Sequence, residues 1–336
     1  MTQETLLSVQ NLHTYFLNGK KIVRAVGGVS FDIYKGEVFG LVGESGCGKS
    51  ATCRSLIRLV QSSGEIVGGK ILYQGRDVVQ MSEREMEKIR GREIGMIFQE
   101  PMNTLNPVTT VGQQLMEVFL PLKLTRREAE KRAVEMLRLV GIADPEMRLK
   151  DYTHQFSGGM RQRAMIAIAL AAEPMLLLAD EPTTALDVTI QDQIIKLLLD
   201  LRQRLSMSMI LVTHDLGVAS RMCNRIAVMY AGHIVEMATA HDLFYSPRHP
   251  YTLGLMRSMP LKGKGVKLEP IGGMPPDLSK EIPGCPFAPR CGMACDRCLK
   301  ELPPLTEIAP GHQSRCHCVD RLEGETFLNQ IRKAVG

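Results

Sequence analysis

The run Val38-Phe39-Gly40-Leu41-Val42, followed at once by Gly43-Glu44-Ser45-Gly46-Cys47-Gly48-Lys49-Ser50, constrains this chain more than any other stretch. Five apolar or small residues without alternation describe a strand covered on both faces, as a parallel sheet flanked by helices requires. The next eight match G-x-x-x-x-G-K-[ST], and apolar residues at helical spacing follow over 49–60 until Ser62-Ser63-Gly64 stops them. Strand, glycine-rich turn and helix in that order form a phosphate-binding loop. The glycines let backbone N–H groups turn inward around phosphate oxygens, and the helix presents its positive end. Lys49 then reaches the terminal phosphates and Ser50 coordinates Mg²⁺. The candidate nucleotide-binding residues are Gly43, Glu44, Ser45, Gly46, Cys47, Gly48, Lys49, Ser50 and Ala51.

The rest of the chain fits an α/β fold. Apolar alternations over 6–12 and 29–33, separated by Asn18-Gly19 and Lys35-Gly36, predict an opening β-sheet. Residues 175–179 and 209–212 are short continuous apolar runs with helical spacing over 189–203 between them, a βαβ crossover. Residues 107–140 read as a charged helical insert, with Thr125 placed to cap and Glu128 at the capping-box position. After about His241 Pro and Gly become frequent and periodicity fades, so a boundary is expected there. With 336 residues the chain exceeds the roughly 250–300 at which single cores stop growing, and two domains are expected.

Composition excludes several classes. Charged residues at 23% and hydrophobic ones at 44% describe a folded, soluble protein. The most apolar stretch, 164–172, stops at Glu173-Pro174, well short of the 18 or more residues of a membrane span. The start Met1-Thr2-Gln3-Glu4 carries no secretion signal, so a cytoplasmic location is expected. A net charge of +5 without blocks of Lys and Arg interleaved with aromatics gives no nucleic-acid surface.

Leu176-Leu177-Leu178-Ala179-Asp180-Glu181 is an apolar strand ending in two carboxylates, at the sheet edge where open α/β folds place ligands. Asp180 suits the Mg²⁺ shell, and Glu181 is left to orient and polarise an attacking water. Further along, Phe156-Ser157-Gly158-Gly159-Met160-Arg161-Gln162-Arg163 is a small-residue turn opening a helix, suited to a phosphate or serving as a plain cap.

In combination these segments resemble the ATPases of the ATP-binding-cassette (ABC) family. The stretch from Ser157 to Met160 is similar to its signature, Gln99 in Ile97-Phe98-Gln99-Glu100-Pro101 to its Q-loop, Ala185-Leu186-Asp187 to its D-loop, and His214 in Val212-Thr213-His214-Asp215 to its switch histidine. The resemblance implies an ABC-type P-loop fold with an antiparallel β subdomain, a helical signature subdomain over about 100–172, and head-to-tail dimers. In such dimers Ser157, Gly158, Gly159 and Met160 act on the partner's ATP. It implies Glu181, His214 and Gln99 as catalytic residues and Ser50, Gln99 and Asp180 around Mg²⁺. It also implies an aromatic ring stacked on adenine, supplied here by Phe16 or Tyr15.

Other stretches narrow the resemblance to ATP-binding subunits of bacterial dipeptide and oligopeptide importers, a group that includes nickel importers. They are Gly43-Glu44-Ser45-Gly46, Gln99-Glu100-Pro101-Met102, residues 103–107 and 180–191, and Pro247-Arg248-His249-Pro250-Tyr251-Thr252. Met160, where most cassettes carry Gln, suits one of the two subunit types in these importers. The implied partners are a second, different ATPase subunit, two membrane-spanning permeases and, indirectly, an extracytoplasmic solute-binding protein. The implied location is the cytoplasmic face of the cell membrane. The domains are then a nucleotide-binding domain over 1–240 and a Cys-bearing importer-type domain over 241–336. A homodimer, a nickel or other solute as cargo, and a non-transport cassette ATPase are the alternatives.

Six of the nine cysteines crowd between Cys285 and Cys318. A disulfide framework does not suit a reducing compartment, whereas four thiolates suit structural zinc or an iron–sulfur cluster. Only Cys295-x₂-Cys298 has zinc-knuckle spacing. The resemblance implies Cys285, Cys291, Cys298 and Cys316 as ligands of a [4Fe–4S] cluster in some importer subunits, with zinc second and Cys295 and Cys318 as extras. Cys47 and Cys53 read as small packing residues.

Overall fold

The computed structural model describes residues 4–122, 124–184, 186–258 and 270–322. The chain packs as two units, Met1–Gln80 with Val212–Gly336, and Met81–Leu211.

In the first unit the predicted alternation becomes a hairpin of β1 (Thr5–Asn18) and β2 (Lys21–Tyr34), joined through Gly19 at φ 61°. β3 (Val38–Val42) is buried along its whole length and leads into α1 (Lys49–Leu56). β4 (Gly64–Tyr73) and β5 (Arg76–Asp77) complete an antiparallel sheet in the order β2-β1-β4-β5. The first helix is shorter than the expected 49–60. Arg58 takes a left-handed φ of 52°, its N–H bonds Ser55 O, and the Leu59 N–H bonds Arg54 O. That wraps the helix end as a Schellman-type cap with arginine in place of glycine, a stop that apolar spacing does not reveal.

The second unit holds α2 (Glu83–Ile89), β6 (Ile94–Ile97), α3 (Pro101–Thr104), α4 (Val111–Phe119), α5 (Arg126–Leu139), α6 (Pro145–Arg148), α7 (Gly158–Leu170), β7 (Leu176–Asp180) and α8 (Val188–Arg204). β8 (Ser208–Thr213) lies where the two units divide. β6 and β7 pair in parallel. Thr125 caps α5 as expected: its Oγ1 accepts the Glu128 N–H at 3.3 Å while Glu128 Oε2 accepts the Thr125 N–H at 2.8 Å.

The first unit resumes with α9 (Leu216–Met222), β9 (Arg225–Tyr230), β10 (His233–Thr239), α10 (Ala240–Tyr245), α11 (Pro250–Arg257), α12 (Asp296–Lys300), β11 (Thr306–Ala309) and β12 (His312–Ser314). β3 runs parallel to β9, β9 and β10 form a hairpin, and β12 adds to β10 at Glu236 and Met237, with β11 outermost. The segment beyond 241 thus extends the edge of the sheet that carries β3.

α11 begins at a buried histidine. His249 Nδ1 accepts the Tyr251 N–H at 3.1 Å, and burial, joined by the charge of Arg315, pushes the ring down to about 3. Burial likewise pushes His233 down to about 4. Both rings are neutral when folded and protonate near 6.5 when unfolded, so the unfolded chain binds more protons and stability falls as pH drops below about 6.5. Going from pH 7 to pH 5 is expected to cost roughly 1–2 kcal/mol per ring. Thermal melts of His249→Asn, which keeps a capping acceptor but not the titration, should fall less steeply over that interval than wild type. Equal slopes would refute the assignment.

Candidate functional site

In the first unit the turn after β3 is shaped by backbone. A Cβ on Gly43 would lie 2.2 Å from Met229 O, and one on Gly48, at φ 106°, would lie 2.2 Å from Ala25 O. Only glycine lets the loop pass this close to β9 and β2. The Lys49 side chain turns back into the loop, its Nζ donating to Gly43 O and Glu44 O at 2.9 Å each, with the residue 4% exposed. Ser45 and Gly46 form the exposed rim, and Ser50 and Ala51 are half-buried in the first turn of α1. Burial pushes the Cys47 thiol up and Cys53 is fully buried, as packing residues should be. This cradle suits a polyphosphate: an ammonium sits among carbonyls, and the loop is held in its turn by close backbone packing against β9 and β2.

At the end of β8, His214 is exposed, and Asp215 caps α9 by accepting the Val218 N–H at 3.1 Å. In β1, Thr14 is buried and hydrogen-bonds Ser55 of α1 at 2.8 Å. Phe16, two residues on, packs where a Cβ on Gly64 would lie 2.5 Å from its ring. Tyr15 faces His13, edge-on at 6.2 Å, and Arg24. Pairing with β4 is regular from Thr14 to Phe16, so Phe16 shares the face that meets α1 and Tyr15 takes the other.

In the second unit β7 is wholly buried and Asp180, its last residue, is 0% exposed. Glu181 follows at a left-handed φ of 48°. Its Oε2 accepts Gln99 Nε2 at 3.2 Å and Thr184 Oγ1 at 2.8 Å. Two expected residues, Gln99 and Glu181, are thus brought together, and Thr184 is a third that sequence reasoning missed. Its place three residues after Glu181 was the available signal. Gln162, also missed, is 1% exposed and donates to Pro182 O at 2.6 Å, tying α7 to the turn after Glu181.

Ser157 is the N-cap of α7, accepting the Met160 N–H at 3.3 Å, with Ser157 and Gly158 exposed and Phe156 buried beneath. Capping and phosphate recognition are compatible, since the remaining N–H groups of the first turn stay unused by the helix. Asp187 caps α8, accepting the Ile190 N–H at 2.9 Å. Ala185 lies outside the described residues.

The cysteines converge within the first unit. Cys285, Cys291, Cys298 and Cys316, the four expected together, line one cavity of about 10 Å³ with Cys318. Cys295 stands at its margin, with its sulfur 3.5 Å from Cys298 Sγ and 3.7 Å from Cys318 Sγ. Among the described residues Cys295, Cys298 and Cys318 are the three whose sulfurs all lie within 4.8 Å of one another. Burial pushes Cys285 and Cys291 up and Cys316 to about 12, while N–H groups and neighbouring thiols bring half-buried Cys295 down to about 7. Buried thiols of this kind lose their protons only against a cation, so the donor set fits a thiophilic metal.

Two family profiles match this chain, "ABC transporter" over residues 26–184 and "Oligopeptide/dipeptide transporter, C-terminal region" over 235–298. The dipeptide transport ATP-binding protein DppD of Bacillus subtilis is 51% identical over 329 residues, covering 97% of this chain and 98% of DppD. This chain belongs to the peptide ABC transporter ATP-binding proteins. The probable peptide ABC transporter ATP-binding protein y4tR of Sinorhizobium fredii is likewise 51% identical, over 93% of this chain and 95% of y4tR. Among solved structures, the ATP-binding cassette MJ0796, in a post-hydrolysis dimer with ADP and Pi, superposes with a TM-score of 0.63. It is 28% identical and covers 70% of this chain and 98% of its own. The α/β fold is therefore that of an ABC ATPase, and members of this family hydrolyse ATP. Among the described residues no helix is long and apolar enough to cross a membrane.

Proposed function

We propose that this ATPase powers peptide import, working with a second ATP-binding subunit beneath two permeases on the cytoplasmic face of the membrane, and fed by a solute-binding protein. The observation that carries the chemistry is Glu181, braced by Gln99 and Thr184 directly after the buried Asp180. A carboxylate fixed by two donors, beside another suited to Mg²⁺, is the arrangement for polarising a water toward a phosphoryl group. Lys49 takes the terminal phosphates, Ser50, Asp180 and Gln99 are the Mg²⁺-directed groups, and His214 donates to the γ-phosphate. Phe16, on the α1 face, is preferred over Tyr15 for the adenine. The exposed turn Ser157-Gly158-Gly159-Met160 and the cap Asp187 serve a partner's nucleotide. Mg²⁺ supplies charge neutralisation at the phosphates when bound.

The peptide cargo is supported by the transporters that this chain resembles end to end. Reconstitution with the copurifying permeases tests it: a peptide-loaded binding protein should stimulate ATP turnover in proteoliposomes. Stimulation by nickel or another solute, with none by peptides, would overturn the cargo assignment and leave the ATPase intact.

For the cysteines the proposal is a stabilising metal site, a [4Fe–4S] cluster on Cys285, Cys291, Cys298 and Cys316 ahead of zinc. Anaerobically purified protein should contain iron and absorb in the visible. Cys298→Ser should lose the metal, whereas Cys295→Ser should keep it. Stoichiometric zinc without iron would overturn the cluster, and metal loss in Cys295→Ser would move the ligand set to the Cys295, Cys298 and Cys318 group.

A further inference from the structure

The phosphate loop and the cysteine-bearing segment, 246 residues apart in sequence, meet at one ion pair. Arg290 Nη1 donates to Glu44 Oε2 at 2.7 Å and Nη2 to Glu44 Oε1 at 3.0 Å, a bidentate fork on the second residue of the loop. The remaining donors are also used: Nη1 to Tyr230 Oη at 3.2 Å, Nη2 to Ile271 O at 3.3 Å and Nε to Gly272 O at 2.9 Å. The guanidinium side chain is 4% exposed and lies over the rings of Tyr230 and Phe287. Every backbone and side-chain handle of Glu44 is held as well. Its N–H donates to Tyr251 Oη at 2.9 Å and its carbonyl accepts Lys49 Nζ at 2.9 Å.

Arg290 ends the 3₁₀ turn Ala288–Arg290 between Cys285 and Cys291, and the Cys291 N–H closes that turn onto Ala288 O at 3.2 Å. A loop built to receive a polyphosphate is an unfavourable place for a carboxylate unless its charge is cancelled. An arginine with all five N–H groups engaged cancels it without becoming mobile.

We infer that Arg290 is a positioning residue of the nucleotide site: it neutralises and fixes Glu44, holds the phosphate loop ready for nucleotide, and makes nucleotide affinity depend on the cysteine-bearing turn. The inference rests on reading residues 43–50 as the nucleotide site. Arg290 touches neither of the loop carbonyls that Lys49 holds, so it acts through Glu44. Coupling of this kind is reciprocal, so nucleotide should also protect the cysteine turn from thiol reagents.

The test is equilibrium titration of the purified full chain with Mg²⁺ and a fluorescent ATP analogue. Arg290→Ala should weaken binding by about tenfold or more, because a half-buried carboxylate is left uncancelled beside the phosphates. Arg290→Lys should fall between, since an ammonium cannot form the fork. Adding Glu44→Gln to Arg290→Ala should restore affinity to within about threefold of wild type, because the uncancelled charge is gone. A merely structural arginine would show no such rescue.

A double variant no tighter than Arg290→Ala, or an Arg290→Ala protein that binds within about twofold of wild type, overturns the inference. Should Arg290→Ala fail to fold, unchanged affinity in folded Arg290→Lys does the same. Lys49→Ala is the reference: wild-type affinity in that variant would refute the nucleotide site itself, whatever Arg290 does.

Discussion

Glu181→Gln in the assembled transporter is expected to lower ATP turnover by about a hundredfold or more while nucleotide affinity stays within about twofold of wild type. The substitution is nearly isosteric, and a Gln side-chain oxygen still accepts from Gln99 and Thr184, whose bonds at 3.2 and 2.8 Å hold the native carboxylate. The left-handed backbone at residue 181 costs about the same for either side chain. What disappears is the negative charge, and with it the ability to polarise a water and accept its proton. Phosphate release under saturating ATP measures the loss, and analogue binding shows that the site is otherwise intact. Turnover within about threefold of wild type would remove Glu181 from the chemistry. Thr184→Val, which loosens the carboxylate without discharging it, should reduce turnover by less.

The parts of this molecule that were legible in the sequence are those specified by neighbours in the chain. The β3 strand and its loop are contiguous, and the reasons for glycine at 43 and 48 are local turns, although the clashing partners, Met229 O and Ala25 O, are distant. The capping box from Thr125 to Glu128 spans four residues and appears as expected. The end of α1 was misjudged because Arg58 stops the helix by backbone conformation while Leu59 and Val60 continue the apolar spacing. β11 and β12 are four and three residues long, carry mixed polarity, and exist because β10 offers an edge. No local pattern announces such pairing. Gln162, Thr184 and Arg290 escaped notice for a related reason: each acts on a backbone carbonyl or carboxylate whose position only the fold determines. The cysteines show the limit most clearly. The resemblance makes Cys295 an extra, yet it is the partner of Cys298 in the one knuckle-spaced pair and the two sulfurs lie 3.5 Å apart.

Lys49→Ala is expected to have the largest effect on nucleotide affinity, a loss of about a hundredfold or more, with turnover lost as a consequence. Lys49 is 4% exposed, and its Nζ donates to Gly43 O and Glu44 O at 2.9 Å each. A carbonyl offers the ammonium only a dipole where a phosphate oxygen offers it a charge, so a phosphate anion is a stronger partner than either of these carbonyls. Removing Lys49 takes the desolvation penalty away with the charge, which offsets the donor that Gly43 O and Glu44 O lose, so the fold without ligand should lose little. It costs the complex nearly everything. The separation of these two effects is measurable in one instrument. Without ligand, the melting temperatures of wild type and variant should lie within a few degrees of each other. With ATP at about 100 times its wild-type Kd, the native protein should gain about 2.7 kcal/mol of stability, and the variant almost none. A variant that melts far below wild type without ligand, yet still gains that full increment with it, would assign Lys49 to the architecture of the loop rather than to the phosphates.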